Sequence, residues 1–219
     1  MTCVGADEAG KGPVLGPMVA AAVRADPTTL PDGIDDSKRV SPGRRETVVV
    51  DLRARDDVAV GVGVVPTDRI DDPETDMNSL TVAAQVEAVA AVARGGDTVV
   101  VDAGDVSEAR FGRRVREGVA AAGVDVDVVS EHGADESHDV VGAASIVAKV
   151  ERDRRVEAIA EEYAAYGDVG SGYPSDPTTR EFLKRYVADT GDLPECARRS
   201  WSTCADLLAA NEQSSLAEF

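Results

Sequence analysis

Apolar runs separated by polar, Gly- and Pro-containing stretches divide the chain into strand-like and helix-like segments. Short runs rich in Val and Ala predict strands, and longer segments with apolar residues at helical spacing predict helices. The predicted strands are a first one running from Val4 into Asp7-Glu8, then 18–24, 58–65, 98–102 and 124–130. The predicted helices are 42–55, 78–94, one between Ser107 and Gly123, 138–165, and two or three short helices after Thr178.

The order of these segments predicts an α/β protein with five strands and helices on the faces of the sheet. The first three strands are joined by short links or one helix, and the last two alternate with helices as parallel neighbours do. Ser41 and Ser107 are expected to cap the helices that follow them. The loop 131–137 is expected to carry Asp135, and the helix at the C-terminus to end near Asn211.

The excess of acidic residues is the most unusual feature of the amino-acid composition. Asp and Glu number 41 against 23 Lys and Arg, which gives a net charge of −18. Periodic apolar segments argue against disorder, so we attribute the acidity to a cytoplasm with molar salt, where the Debye length shrinks to ~3 Å. No run approaches the ~20 apolar residues of a membrane helix. The N-terminus enters a strand at once, which argues against a signal peptide, and we expect a cytoplasmic monomer.

Carboxylates stand at the ends of three predicted elements. Asp7 and Glu8 end the first strand, Asp102 ends the fourth, and Asp135 follows the fifth. If the first and fourth strands are parallel neighbours, Asp7 and Asp102 lie ~4.8 Å apart. Four carboxylates together favour two divalent ions ~3.5–4 Å apart, an arrangement that cleaves phosphodiesters. Taken singly, each acid is a common surface charge.

Short motifs follow one another along residues 7–201. They are Asp7-Glu8-Ala9-Gly10-Lys11-Gly12-Pro13, Asp36-Ser37-Lys38, Val101-Asp102-Ala103, Phe111-Gly112, residues 131–136, residues 142–149, Arg152-Asp153, residues 170–177 and Arg199-Ser200-Trp201. In these motifs and in their order the chain resembles archaeal ribonuclease HII.

The resemblance implies a ribonuclease H-like fold, a mixed five-stranded sheet flanked by helices with a helical C-terminal extension. The expected domains are a catalytic domain over 1–166, the extension over 167–211 and a flexible tail over 212–219. The implied activity is hydrolysis of the RNA strand of RNA–DNA hybrids and cutting 5′ of single ribonucleotides in duplex DNA. Products would be a 5′-phosphate and a 3′-hydroxyl. Asp7, Glu8, Asp102 and Asp135 would be the catalytic acids that hold two Mn²⁺ or Mg²⁺ ions.

Substrate-binding residues are also implied by the resemblance. The backbone of Gly10-Lys11-Gly12 would read a ribose 2′-hydroxyl, and Tyr173 would stack on the sugar that follows. Ser37, Lys38 and Lys149 complete the implied set, the lysines as phosphate contacts. Lys11 and Gly133 depart from the family pattern, which usually has arginine and lysine there.

The end of the chain resembles a peptide that binds the sliding clamp PCNA. Gln213, Leu216 and Phe219 follow one another at intervals of three, as in that motif, and a frayed terminus is the alternative. An alternative for the whole chain is a non-catalytic nucleic-acid-binding protein of the same fold, whose acids serve solubility in salt.

Overall fold

The computed structural model describes residues 1–31, 34 and 40–216, with residues 214–216 described by their backbone alone. The strands are β1 Cys3–Ala9, β2 Met18–Ala25, β3 Ala59–Val65, β4 Thr98–Asp102 and β5 Asp127–Glu131. The helices are α1 Pro42–Arg53, α2 Thr67–Ile70, α3 Met77–Ala90, α4 Glu108–Ala121, α5 Ala134–Ser137, α6 Asp139–Glu162, α7 Pro177–Thr190 and α8 Ser202–Leu216.

The five strands form a mixed sheet in the order β3-β2-β1-β4-β5. β1 pairs antiparallel with β2 and parallel with β4, and β5 pairs parallel with β4. The predicted five-stranded α/β architecture is confirmed. Because β1 lies at the centre, its residues are flanked by a strand on each side, which fixes the position of the acidic pair that it carries.

Packing divides the chain into two compact units. Unit 1 consists of Met1–Ala9, Val19–Val64 and Asp76–Arg152, and unit 2 of Gly10–Met18, Val65–Thr75 and the described residues from Asp153 onward. This division differs from the expected domain boundary after residue 166, because two earlier segments pack with the C-terminal residues.

Small residues bring the helices of unit 1 very close to the sheet. A Cβ atom on Gly5 of β1 would lie 2.3 Å from the carbonyl carbon of Val140 in α6. On β3, a Cβ on Gly63 would lie 2.2 Å from the Ala84 carbonyl oxygen of α3. Neither contact leaves room for a side chain, so these glycines are required by close backbone approach.

The core of unit 2 is built from aliphatic and aromatic side chains. Tyr163 and Phe182 pack edge to face with their ring centroids 5.8 Å apart, around a cluster that includes Leu15 and Leu183. Burial raises the pKa of Tyr163 to about 12. The three cysteines are free thiols.

Helix caps and element boundaries differ from the prediction in several places. Ser41 precedes α1, but its side chain makes no capping hydrogen bond, whereas the Ser107 side chain accepts one from the Arg110 amide as expected. The residues after β5 form the single turn of α5, so Asp135 lies on a helix and not in a loop. The last helix continues past Asn211 to Leu216, since no Gly or Pro interrupts it.

Across the described part of the chain, the helices lack the combination of length and apolarity that a bilayer crossing requires.

Candidate active site

The pairing of β1 with β4 brings two of the predicted acids to the same end of the sheet. Ala6 pairs with Val101 in parallel register, so Asp7 and Asp102 each come one residue later on adjacent strands. The sequence-based expectation that these two strands are parallel neighbours is confirmed. Ligands of such sheets gather at the carboxyl ends of the strands.

Asp7 is a buried carboxyl group in an unfavourable electrostatic environment. Its exposed fraction is 5 %. Burial, followed by repulsion from Glu8 and Asp102, raises its pKa from the ordinary 3.8 to about 8, against the opposing effects of a Ser145 hydrogen bond and the Lys149 charge. On the neighbouring strand the residue opposite Asp7 is Ala21, which offers no compensating charge.

Helix α6 supplies the polar side chains that face Asp7. Ser145 is fully buried, and its hydroxyl accepts a hydrogen bond from the Lys149 ammonium one helical turn later. Because Ser145 also hydrogen-bonds to Asp7, the lysine reaches the acid through the serine. Lys149, predicted as a phosphate contact, therefore belongs to the surroundings of the acidic group.

Asp102 and Asp135 are connected through α5. The Asp102 carboxylate accepts a hydrogen bond of 2.9 Å from the Ala134 backbone amide, and Asp135 is the next residue. Asp135 is itself buried, with an exposed fraction of 5 %. The hydrogen bond from α5 to Asp102 thus places Asp135, the fourth predicted acid, one residue from a direct contact with the third.

Gln85 is a site residue that sequence analysis misses. It lies in α3 and is fully buried. Its side-chain amide donates to the Glu8 carboxylate at 2.7 Å and to the Asp102 carbonyl at 3.1 Å. Because an amide nitrogen can only donate, these two acceptors determine which way the Gln85 side-chain amide is oriented. The hydrogen bond to Glu8 in turn fixes the direction of that carboxylate. Its Oε1 atom has no hydrogen-bond partner among the described residues.

The four acids fit a divalent cation by chemistry and charge. Their donors are oxygen atoms, which Mg²⁺ and Mn²⁺ prefer, and the repulsion on Asp7 is the kind that a bound cation relieves. Among the residues that the structure describes, no group of three or more His, Cys, Asp or Glu side chains is arranged so that it could hold a metal ion as it stands. The structure therefore gathers the predicted acids at one end of the sheet without arranging them as a coordination shell.

Unit 2 contains the predicted substrate loop and the predicted tyrosine. A Cβ on Gly12 would lie 3.7 Å from the Tyr173 ring, so the loop and the tyrosine are neighbours. The Gly172 carbonyl accepts hydrogen bonds from the Val14 and Leu15 amides at 2.7 and 3.2 Å. Tyr173 keeps 42 % of its surface exposed, as a side chain that stacks on a ligand requires.

The segment that carries Tyr173 is held by a carboxylate and a buried hydroxyl. Asp176 accepts hydrogen bonds from the Ser171 amide and hydroxyl, both at 2.7 Å, which lower the pKa of this carboxyl to about 2. Thr179 accepts from the Gly172 amide at 2.9 Å and donates to the Val169 carbonyl. These bonds fix the backbone on either side of the tyrosine.

Arg198 is a second residue that sequence analysis misses, although its neighbours Arg199-Ser200-Trp201 belong to a recognised motif. It is fully buried. Its guanidinium donates to the carbonyls of Gly10, Lys11 and Gly16 at 2.6, 2.9 and 2.9 Å.

Several predicted positions lie outside what the structure describes. Ser37, Lys38 and Phe219 are outside the described residues, and of Leu216 the backbone alone is described. Gln213 is exposed near the end of α8.

Residues 4–204 match the family model described as Ribonuclease HII. The chain belongs to the ribonuclease HII family. A ribonuclease HII of the halophile Halobacterium salinarum is 60% identical over 219 residues and is covered completely, as is this chain. The resemblance seen in the motifs is confirmed, and the halophilic relative agrees with the habitat inferred from the charge. The protein is an endonuclease of the ribonuclease H type, and its family supports ribonuclease activity on RNA–DNA hybrids.

Solved structures of ribonucleases HII and HIII have the same fold as this chain. Ribonuclease H2 from Pyrococcus horikoshii has a TM-score of 0.85 and 35% identity, covering 97% of this chain and 100% of its own. The ribonuclease HII of a PCNA complex from Archaeoglobus fulgidus has a TM-score of 0.80 and 37% identity, covering 92% and 96%. Bst-RNase HIII in complex with Mn²⁺ shares the fold, with a TM-score of 0.75 and 22% identity. The alignment covers 97% of this chain and 71% of that protein.

Proposed function

We propose that this ribonuclease HII cuts the RNA strand of RNA–DNA hybrids and also cuts 5′ of single ribonucleotides in duplex DNA. Two divalent cations, Mn²⁺ or Mg²⁺, would be held by Asp7, Glu8, Asp102 and Asp135. The observation that carries this proposal is the buried Asp7 carboxyl, whose pKa is raised to about 8 by burial and by the neighbouring acids. A cation is the partner that such a group needs in order to stay ionised at neutral pH.

The bound ions would activate a water and stabilise charge on the attacking and leaving oxygens of the phosphodiester. The residues of the chain prepare the site for this chemistry. Ser145 and Lys149 hold Asp7 from α6, Gln85 directs Glu8, and the Ala134 amide directs Asp102. A 5′-phosphate and a 3′-hydroxyl are the expected products.

Selection of a ribonucleotide is assigned to unit 2. The backbone of Gly10-Lys11-Gly12 would contact the 2′-hydroxyl, and the exposed ring of Tyr173 would stack on the following sugar. Their proximity, with the ring 3.7 Å from the Cβ position of Gly12, supports a shared role. Ser37, Lys38 and Lys149 stay predictions as further substrate contacts.

Cleavage of three labelled duplexes in molar KCl tests this function. They are an RNA–DNA hybrid, a DNA duplex with one ribonucleotide, and the same duplex in deoxy form. We expect the first two to be cut in Mn²⁺ and to stay intact in EDTA, with cutting 5′ of the single ribonucleotide. Asp7→Asn should be inactive, whereas Asp125→Asn, a matched change of an exposed acid, should be fully active. Cutting of the deoxy duplex, or activity in EDTA, would contradict the proposal.

Metal binding can be measured separately from cleavage. Calorimetric titration of the wild type with Mn²⁺ should show two sites, and Asp7→Asn should weaken them strongly while Asp125→Asn does not. Equal Mn²⁺ binding by wild type and Asp7→Asn would remove this acid from the metal site. The alternative of a non-catalytic binding protein is not supported, because the chain belongs to an endonuclease family.

A clamp-binding role of the C-terminal peptide is a second proposal. The Archaeoglobus fulgidus relative was solved in a complex with PCNA, and Gln213 is exposed at the end of α8 in this chain. Gln213, Leu216 and Phe219 would anchor the peptide in a pocket of the clamp. Truncation after Glu212 should abolish binding to the clamp of the same organism and leave cleavage of a short duplex unchanged. Equal clamp binding by both forms would refute this role.

A cytoplasmic location and a monomeric state stay predictions.

A further inference from the structure

The buried guanidinium of Arg198 holds the loop at residues 10–12 from its interior side. Its three hydrogen bonds to the carbonyls of Gly10, Lys11 and Gly16 span 2.6–2.9 Å. Burying a cation costs free energy unless its N–H groups donate hydrogen bonds. The planar guanidinium carries five N–H donors and can therefore satisfy several carbonyls at once. The loop is therefore fixed by its backbone, independently of the side chains that it carries.

Trp201 adds a fourth contact to the same loop. Its indole nitrogen donates to the Gly12 carbonyl at 3.3 Å, and the Arg198 guanidinium lies 5.0 Å from the centroid of its ring. The indole thus holds the loop and supports the guanidinium through a cation–π contact. The carbonyls of three consecutive residues, Gly10, Lys11 and Gly12, are all turned toward this pair.

The direction of the carbonyls determines the direction of the amides. In a planar trans peptide the N–H points away from the C=O of the same unit. With the Gly10 and Lys11 carbonyls on Arg198, the amides of Lys11 and Gly12 point to the opposite side of the loop. The next residue, Pro13, has no N–H. Two consecutive donors therefore face away from Arg198, on the loop to which recognition of the ribose is assigned.

We propose that Arg198, assisted by Trp201, is a positioning residue that sets the direction of the Lys11 and Gly12 amides for an acceptor oxygen on the ribose side of the substrate. The inference rests on the function proposed above, since it explains how a loop of mostly small residues selects a ribonucleotide. Arg198 itself is buried behind the loop and acts through the backbone.

Binding of two duplexes in EDTA and molar KCl separates this role from simple support of the fold. Fluorescence anisotropy gives the affinity for a duplex with one ribonucleotide and for its all-deoxy form. Arg198→Lys keeps the charge and loses the fork geometry. We expect the preference for the ribonucleotide to fall about tenfold, as for loss of a charge-assisted hydrogen-bond arrangement, with affinity for the deoxy duplex unchanged.

Three further variants complete the test. Trp201→Phe removes the single bond to Gly12 and should lower the preference by a smaller factor, which keeps the inference testable if Arg198→Lys fails to fold. Arg185→Lys changes an exposed arginine paired with Glu181 and should match the wild type. Arg198→Met should fail to fold or lose the preference entirely, because three carbonyls lose their donors.

The outcomes distinguish the inference from the function on which it rests. A lower preference in both Arg198→Lys and Trp201→Phe, with normal melting temperatures, supports the inference. Equal loss of affinity for both duplexes, or an unchanged preference in folded Arg198→Lys, overturns it while cleavage by the wild type stands. Wild-type protein that binds and cuts ribonucleotide and deoxy duplexes alike would overturn the proposed function and this inference together.

Discussion

Replacing Asp7 with asparagine removes a buried carboxyl group and keeps nearly the same side-chain shape. We expect this change to abolish cleavage. We also expect it to alter how the free energy of unfolding of the metal-free protein depends on pH. The reason is that burial and the charges of Glu8 and Asp102 raise the pKa of Asp7 from 3.8 to about 8. Asparagine does not titrate, so the contribution of this group disappears in the variant.

The sign and size follow from proton linkage. Between pH 3.8 and about pH 8 the folded wild type keeps the Asp7 proton while the unfolded chain has lost it. Its free energy of unfolding therefore falls as pH rises, by roughly 1.4 kcal/mol per pH unit from this group. Above about pH 8 the loss is complete, with an upper limit of about 6 kcal/mol over an interval of about four pH units. Below pH 3.8 the group adds no pH dependence.

Urea unfolding followed by circular dichroism checks this expectation at pH 5, 7 and 9 in EDTA and constant KCl. Asp7→Asn should become increasingly more stable than the wild type as pH rises. The exposed-acid variant Asp125→Asn should follow the wild-type curve. Parallel curves for Asp7→Asn and wild type across this range would show that Asp7 ionises normally, and the electrostatic reasoning behind the metal site would then be wrong.

Three other predictions concern packing and charge. Gln85→Leu should weaken Mn²⁺ binding about tenfold, because Glu8 loses the donor that directs it, and unchanged Mn²⁺ affinity by titration would contradict the role of Gln85. Gly5→Ala should destabilise the protein by about 3 kcal/mol or prevent folding, because its Cβ would lie 2.3 Å from the Val140 carbonyl carbon. The control Gly95→Ala, whose Cβ would have nothing within 4 Å, should change the free energy of unfolding in urea by less than about 0.5 kcal/mol. The net charge of −18 should raise the melting temperature between dilute buffer and molar KCl through screening, and a melt that is independent of salt would refute this.

The parts of the fold that could be predicted from sequence are those set by local pattern. Short apolar runs that end in carboxylates predict these strands, and the adjacency of Asp7 and Asp102 follows because parallel neighbours end at the same edge of a sheet. The single turn of α5 is not predicted, because a four-residue helix leaves no periodic signal. The predicted end of α8 near Asn211 is too early, because the polar residues that follow resemble a tail although none of them breaks a helix.

Gln85 and Arg198 could not be identified from local pattern for a different reason. A glutamine within an Ala- and Val-rich helix, or an arginine within a run of polar residues, is most simply an exposed side chain. Their roles depend on partners far away in sequence, Glu8 for Gln85 and the Gly10 carbonyl for Arg198. The only indication is burial of a polar residue, which the sequence does not show.

The contact of Gly5 with α6 has a consequence for how this enzyme tolerates sequence change over evolutionary time. Gly5 and Asp7 lie two residues apart on the same face of β1, and the strand meets the helix backbone to backbone at Val140. Exchange of Val for Ile or Leu elsewhere in the core alters side-chain volume but not this contact. The position of the first acid therefore depends on a contact between backbones, which the volumes of the surrounding apolar side chains do not determine.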